Sequence, residues 1–90
     1  MTNFAKNREL RKMDFELKMY GLDADINQIW KDLETSDDPK VIKKHFERVQ
    51  YLVETYRELV WSGIKLDISY DQGYMEALAG LLFDKYCELI

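Results

Sequence analysis

One cysteine, one proline and one histidine in ninety residues leave little room for several kinds of protein. A lone Cys87 excludes an internal disulfide and suits a reducing compartment, so a cytoplasmic protein is expected. With His45 as the single histidine and no cysteine cluster, the ligands of a zinc site are missing, and no metal or cofactor is expected. Four glycines and one proline are too few for a low-complexity or turn-rich chain. No run approaches the roughly 18 apolar residues of a membrane span, and the opening MTNFAKNRELRK lacks the apolar stretch of a signal peptide.

What remains is a chain built for one compact core. It is 47% hydrophobic and 13% aromatic, and its length makes a single domain, 1–90, the expectation. A domain of this size buries only about 60–65% of its unfolded surface, so self-association would add to a thin margin of stability. The net charge is −4, but it is unevenly spread. Residues 1–20 carry +2, 21–39 carry −5, 40–50 carry +3 and 51–90 carry −4. The acidic total weakens the electrostatic attraction that supplies non-specific nucleic-acid binding, which is therefore not expected.

Helical periodicity runs throughout, and the expected fold is an all-α, four-helix, mostly antiparallel bundle with helices at about 3–20, 24–34, 39–62 and 70–90. Leu10, Met13, Leu17 and Tyr20 make a core stripe for the first helix, with Gly21 as its stop. Phe4, Phe15 and Met19 make a second stripe, which touches another neighbour, with Arg8 and Arg11 as its charged rim. Ile26, Ile29, Trp30 and Leu33 form the face of a short second helix. Asp38 followed by Pro39 is a helix start signal: an oxygen acceptor at the cap, then a ring that fixes φ. In the third helix ten residues from Val41 to Val60 fall within an arc of about 140°, and Gly63 ends it.

The closing helix is apolar over most of its circumference. Leu81, Tyr74, Leu78, Leu89, Leu82, Met75, Tyr86 and Ala79 fill about 160°, which predicts a central element or half of a subunit interface. Ser69 and Gln72 match a capping box at its start. Gly73, Ala77 and Gly80, beside Glu76 and Asp84, form a small-residue face that admits a close backbone, either another helix of the same bundle or a helix of a partner.

Chemistry is sparse. The carboxylate pairs Glu54/Glu58, Asp67/Asp71 and Asp84/Glu88 are spaced i, i+4, and no two glutamates make the E-x-x-E spacing of helical nucleotide pyrophosphatases. His45 lies within the apolar arc, as a core or boundary histidine does. No catalytic residue is assigned, and an enzyme is not expected. Lys40, Lys43, Lys44 and Arg48 would lie on DNA if the second and third helices formed a helix-turn-helix, although Asp37 and Asp38 would then face the phosphates. Tyr51 and Trp61 lie off the core stripe and are candidate anchors for a protein partner, unless the chain's own loops cover them.

The segment Tyr70-Asp71-Gln72-Gly73-Tyr74-Met75-Glu76-Ala77-Leu78 resembles the G-Y-x-E-A-L ending of many small phage and prophage proteins. The resemblance is confined to the closing helix and transfers no functional residues. It implies a small helical accessory protein that binds and disables a larger host enzyme or defence complex, as anti-CRISPR proteins do. A homodimer joined through the last helix, and a DNA-binding regulator using Lys40 to Arg48, are the other two expectations.

Overall fold

The structure, a computed structural model, describes the backbone from Thr2 to Ile90 and the side chains from Asn7 onward. It is all-helical, as expected, but the described residues form three helices and not four. They are α1 (Thr2–Thr35), α2 (Pro39–Trp61) and α3 (Gln72–Leu89). The first two expected helices are one continuous helix of 34 residues.

The merger has a plain cause. Phe15, Met19, Leu22, Ile26, Ile29 and Leu33 recur at alternating steps of four and three, within about 80° of one another on the helix. That stripe passes Gly21 without a break, and Phe15, Met19, Leu22 and Ile29 are buried. A glycine inside a helix costs about 1 kcal/mol relative to alanine. Burying Leu22 or Ile29 gains roughly 1.5–3 kcal/mol each, so tertiary packing overrides the local stop signal. The reading of Leu10, Met13, Leu17 and Tyr20 as the core stripe is overturned: all four are exposed, and the second stripe faces inward instead.

The start and stop of α2 follow its sequence signals. Asp38 caps it, accepting the Lys40 N–H at 2.9 Å, and Pro39 takes the first helical position. At the far end Gly63 adopts φ +76°, the left-handed conformation that an L side chain resists. The Gly63 N–H donates to Val60 O and the Ile64 N–H to Leu59 O, both at 3.0 Å, in the pairing of a Schellman motif.

The segment after it is a strap. Ile64, Leu66, Ile68 and Tyr70 pack against the core, whereas Lys65, Asp67 and Ser69 point outward. This is a two-residue alternation without a strand. The strap is pinned to α1 by Asp67, whose N–H donates to Glu16 at 3.0 Å and whose carboxylate pairs with Lys12 at 2.8 Å. Tyr70 stacks on Tyr56 with ring centroids 4.1 Å apart and meets Phe15 edge-on at 5.8 Å. That anchorage keeps Tyr70 out of the helix, so α3 begins after Asp71, which accepts the Tyr74 N–H at 3.0 Å. The expected Ser69/Gln72 box does not form; Gln72 donates to Glu76 instead.

Neighbouring helices run antiparallel. Arg8 with Ser62, Arg11 with Glu58, Arg48 with Asp25 and His45 with Asp32 mark α1 against α2 from end to end. Arg57 with Glu76 and Phe46 with Phe83 do the same for α2 against α3. The central element is therefore α2, not the closing helix, and the chain is an elongated body of 49 × 22 × 21 Å. Only Met75, Leu78, Ala79 and Leu82 of α3 are buried. Leu81, expected in the core, is 47% exposed because its side of α3 has no helix across from it.

Leu78→Ala should therefore cost about 2–5 kcal/mol, from lost burial and the cavity left behind. Leu81→Ala should stay within roughly 1 kcal/mol of wild type. Denaturant midpoints of the two variants check the phase of α3.

Candidate protein-binding surface

On the outer side of α1, Leu10, Met13, Leu17 and Tyr20 are 51% to 68% exposed. Their spacing of i, i+3, i+7 and i+10 places them within about 80° of arc, nearly opposite the Phe15 to Leu33 stripe. Four large apolar side chains thus form a ridge of about 15 Å that none of the described residues covers. Single exposed hydrophobics are ordinary on a protein surface; a contiguous row of them is a candidate interaction site.

The two edges of the ridge differ. Glu9, Glu16 and Asp23 line one edge at seven-residue intervals. Asn7, Asp14 and Lys18 line the other, where Lys18 pairs with Asp14 at 3.0 Å. The hydrogen bond to Asp14 raises the Lys18 ammonium above its ordinary pKa. Gly21 lies on this same edge, and the Arg48 guanidinium crosses it to reach Asp25 at 2.8 Å; a Cβ at position 21 would meet Arg48 Nη2 at 3.2 Å.

Several residues assigned to an interface from the sequence lie elsewhere. Phe15 and Met19 are core residues and cannot receive a partner. The side chain of Phe4 lies outside the described residues. Arg8 and Arg11 tie α1 to the end of α2, donating to Ser62 O and to Glu58, each at 2.8 Å. Tyr51 is already engaged: Lys18 sits 4.6 Å from its ring centroid, and its hydroxyl donates to Asp14 at 3.4 Å. Trp61 is not covered by the chain's own loops: it is 93% exposed at the end of α2 beside the exposed Val60.

The small-residue face of α3 is not internal packing. Gly73, Ala77 and Gly80 are exposed, as are Glu76 and Asp84, and Glu76 is bound by Arg57. A Cβ built at Gly80 would meet nothing within 4 Å. Beside it runs a shallow groove of about 360 Å³ between α2 and α3, lined by Phe46, Val53, Arg57, Gly80 and Phe83.

His45 Nε2 lies 2.8 Å from Asp32 Oδ2, and the pair bridges α1 to α2. Among the described residues no group of three metal-ligating side chains comes together. Lys40, Lys43 and Lys44 are exposed, but Arg48 is paired with Asp25. The antiparallel hairpin of α1 and α2 also lacks the crossing of about 90–120° that a helix-turn-helix needs.

The ridge was present in the sequence as four named residues, but with the opposite orientation. The signal that separates the two stripes lies beyond Tyr20, where only the Phe15 row continues through Leu22, Ile26, Ile29 and Leu33. No protein-family model, curated protein or solved structure matches this chain.

Gly80 weakens an exposed helix interior for no packing reason, so Gly80→Ala should stabilise the chain by about 1 kcal/mol in denaturant unfolding. The Asp32 carboxyl is held below its ordinary 3.8 by the hydrogen bonds from His45 and then Gln28. A carboxylate with a depressed folded pKa contributes stability above its unfolded pKa, and loses it as pH falls through the folded value. The stability difference between wild type and Asp32→Asn should accordingly shrink as pH falls below about 4. Urea titrations at stepped pH read this directly.

Proposed function

We propose that this protein is a small, non-enzymatic protein-binding factor whose docking surface is the outer face of α1. The exposed row Leu10, Met13, Leu17 and Tyr20 carries that reading. Leaving such a row in water sacrifices the burial energy that these half-exposed side chains would gain at an interface, roughly half to two-thirds of the 1.5–3 kcal/mol that full burial of a Leu or Met is worth. The ridge is also borne on a long helix fixed along its inner face, so it meets a partner already shaped and with little further ordering to lose. Trp61 and the Gly80 groove lie apart from it and are secondary candidates.

The resemblance of the closing segment to phage and prophage proteins favours an inhibitor or modulator of a larger host or defence protein. A cytoplasmic location accords with the free, exposed Cys87, and among the described residues no helix is long and apolar enough to cross a membrane.

Immobilised wild-type chain and three variants, exposed to a bacterial lysate, provide the test. A partner retained by wild type should be lost from the double variant Met13→Glu/Leu17→Glu. It should be kept by Ala77→Leu and Trp61→Ala. Thermal unfolding of the double variant should stay within a few degrees of wild type, because both positions are solvent-facing. Loss of the partner from Trp61→Ala or Ala77→Leu, with retention by the α1 variant, would move the docking surface off α1.

A further inference from the structure

We infer that the occupant of the α1 ridge is an amphipathic helix of another protein, apolar at alternating steps of three and four and basic along the edge that meets Glu9, Glu16 and Asp23. This rests on the reading of the ridge as the docking surface and adds the chemistry of what docks there.

Two features select a helix. The spacing Leu10, Met13, Leu17, Tyr20 continues to the exposed Ala24, two full heptads of about 21 Å, and stops at Asn27. A seam of that period presents knobs that fit the holes of a facing helix running nearly parallel or antiparallel to it. The ridge is also convex and carried by a lone helix. It offers neither a sheet edge for an extended peptide nor a cleft for a small molecule.

Charge then narrows the helix. In a coiled-coil pairing the edge residues of the two helices face each other and set the choice of partner. Glu9 and Asp23 are exposed on the acidic edge, Glu16 stands between them with one oxygen accepting the Asp67 N–H, and the Lys12 ammonium beside Glu9 and Glu16 is turned to Asp67 at 2.8 Å. The opposite edge is mixed, with Asp14, Lys18 and the crossing Arg48. Lysines or arginines along one side of the incoming helix therefore match the acidic edge. A second copy of this chain fits less well. An antiparallel copy centred on Glu16 sets acid against acid, Glu9 facing Asp23, and a parallel copy brings Glu9 to Asp14.

The test uses the full chain and two fluorescent 21-residue peptides with the same leucine seam, one edged with lysine and the other with glutamate. In anisotropy titrations the lysine-edged peptide should bind at least tenfold more tightly, and the gap should narrow in 0.5 M salt. Leu17→Glu should abolish binding. Glu9→Lys/Asp23→Lys should reverse the preference between peptides without changing the circular dichroism. Equal binding of the two peptides, binding of neither, or a preference untouched by the charge reversal would overturn the inference. So would sedimentation of the wild type as a dimer that Leu17→Glu converts to monomer, since the occupant would then be a second copy. If the lysate partner is lost from Met13→Glu/Leu17→Glu while the peptides fail to discriminate, the ridge still docks a protein and only its proposed occupant is wrong. If the partner survives that double variant, the ridge itself is not the surface.

Discussion

Everything in this fold depends on α2 being greasy enough to hold a helix on each side. Ile42, Val49, Leu52, Val53 and Leu59 are buried along it, and α1 and α3 make most of their contacts to it rather than to each other. The arrangement leaves two helices with only one side committed. That is why a chain so rich in apolar residues still shows Leu10, Leu17, Tyr74, Leu81 and Phe83 to water. With only three helices there is no fourth to cover the far sides of α1 and α3. The open ridge is a result of helix count as much as of sequence.

The interior itself is simple. Among the described residues no polar or charged residue is fully buried. Ion pairs such as Arg11–Glu58, Arg48–Asp25 and Lys12–Asp67 sit on the periphery, where solvent screens them. The first two set which turn of α1 faces which turn of α2, and the third ties α1 to the strap. Among the described residues the discordant polar atom is the Tyr70 hydroxyl, buried without a hydrogen-bond partner. Burial pushes that phenol up to about 12, so it stays neutral across the physiological range, held by ring stacking rather than by its oxygen.

Much of this was legible in the sequence, and unevenly so. For α2 the signals were redundant: Asp38-Pro39 at one end, Gly63 at the other, and a single apolar arc between. α1 carries two apolar rows over its first twenty residues, and local periodicity cannot say which faces inward. Gly21 then suggested an end, and cutting the helix there hid the continuation that decides the matter. The candidate site inherited that error, since Phe15 and Met19 were placed outside and Leu10 to Tyr20 inside. The strap at 64–70 gave an alternating pattern whose meaning is tertiary, because its apolar residues pack on helices and not on a neighbouring strand. Trp61 and the small face of α3 are open in the sequence between a surface and an internal role, because helical phase alone does not say whether the chain's own elements cover them, and the fold leaves both exposed.

The missing side chain at Gly21 has a consequence for who owns the outer face. It leaves a notch in α1 through which Arg48 of α2 reaches the ridge's mixed edge, between Lys18 and Asp25. One border of the surface is therefore built jointly by two helices that are separate in sequence. Sliding α2 by a single turn, about 5.4 Å, would withdraw the guanidinium and redraw that border while leaving the leucines where they are. The ridge supplies the grip, but its electrical outline is a readout of how the hairpin beneath it is seated.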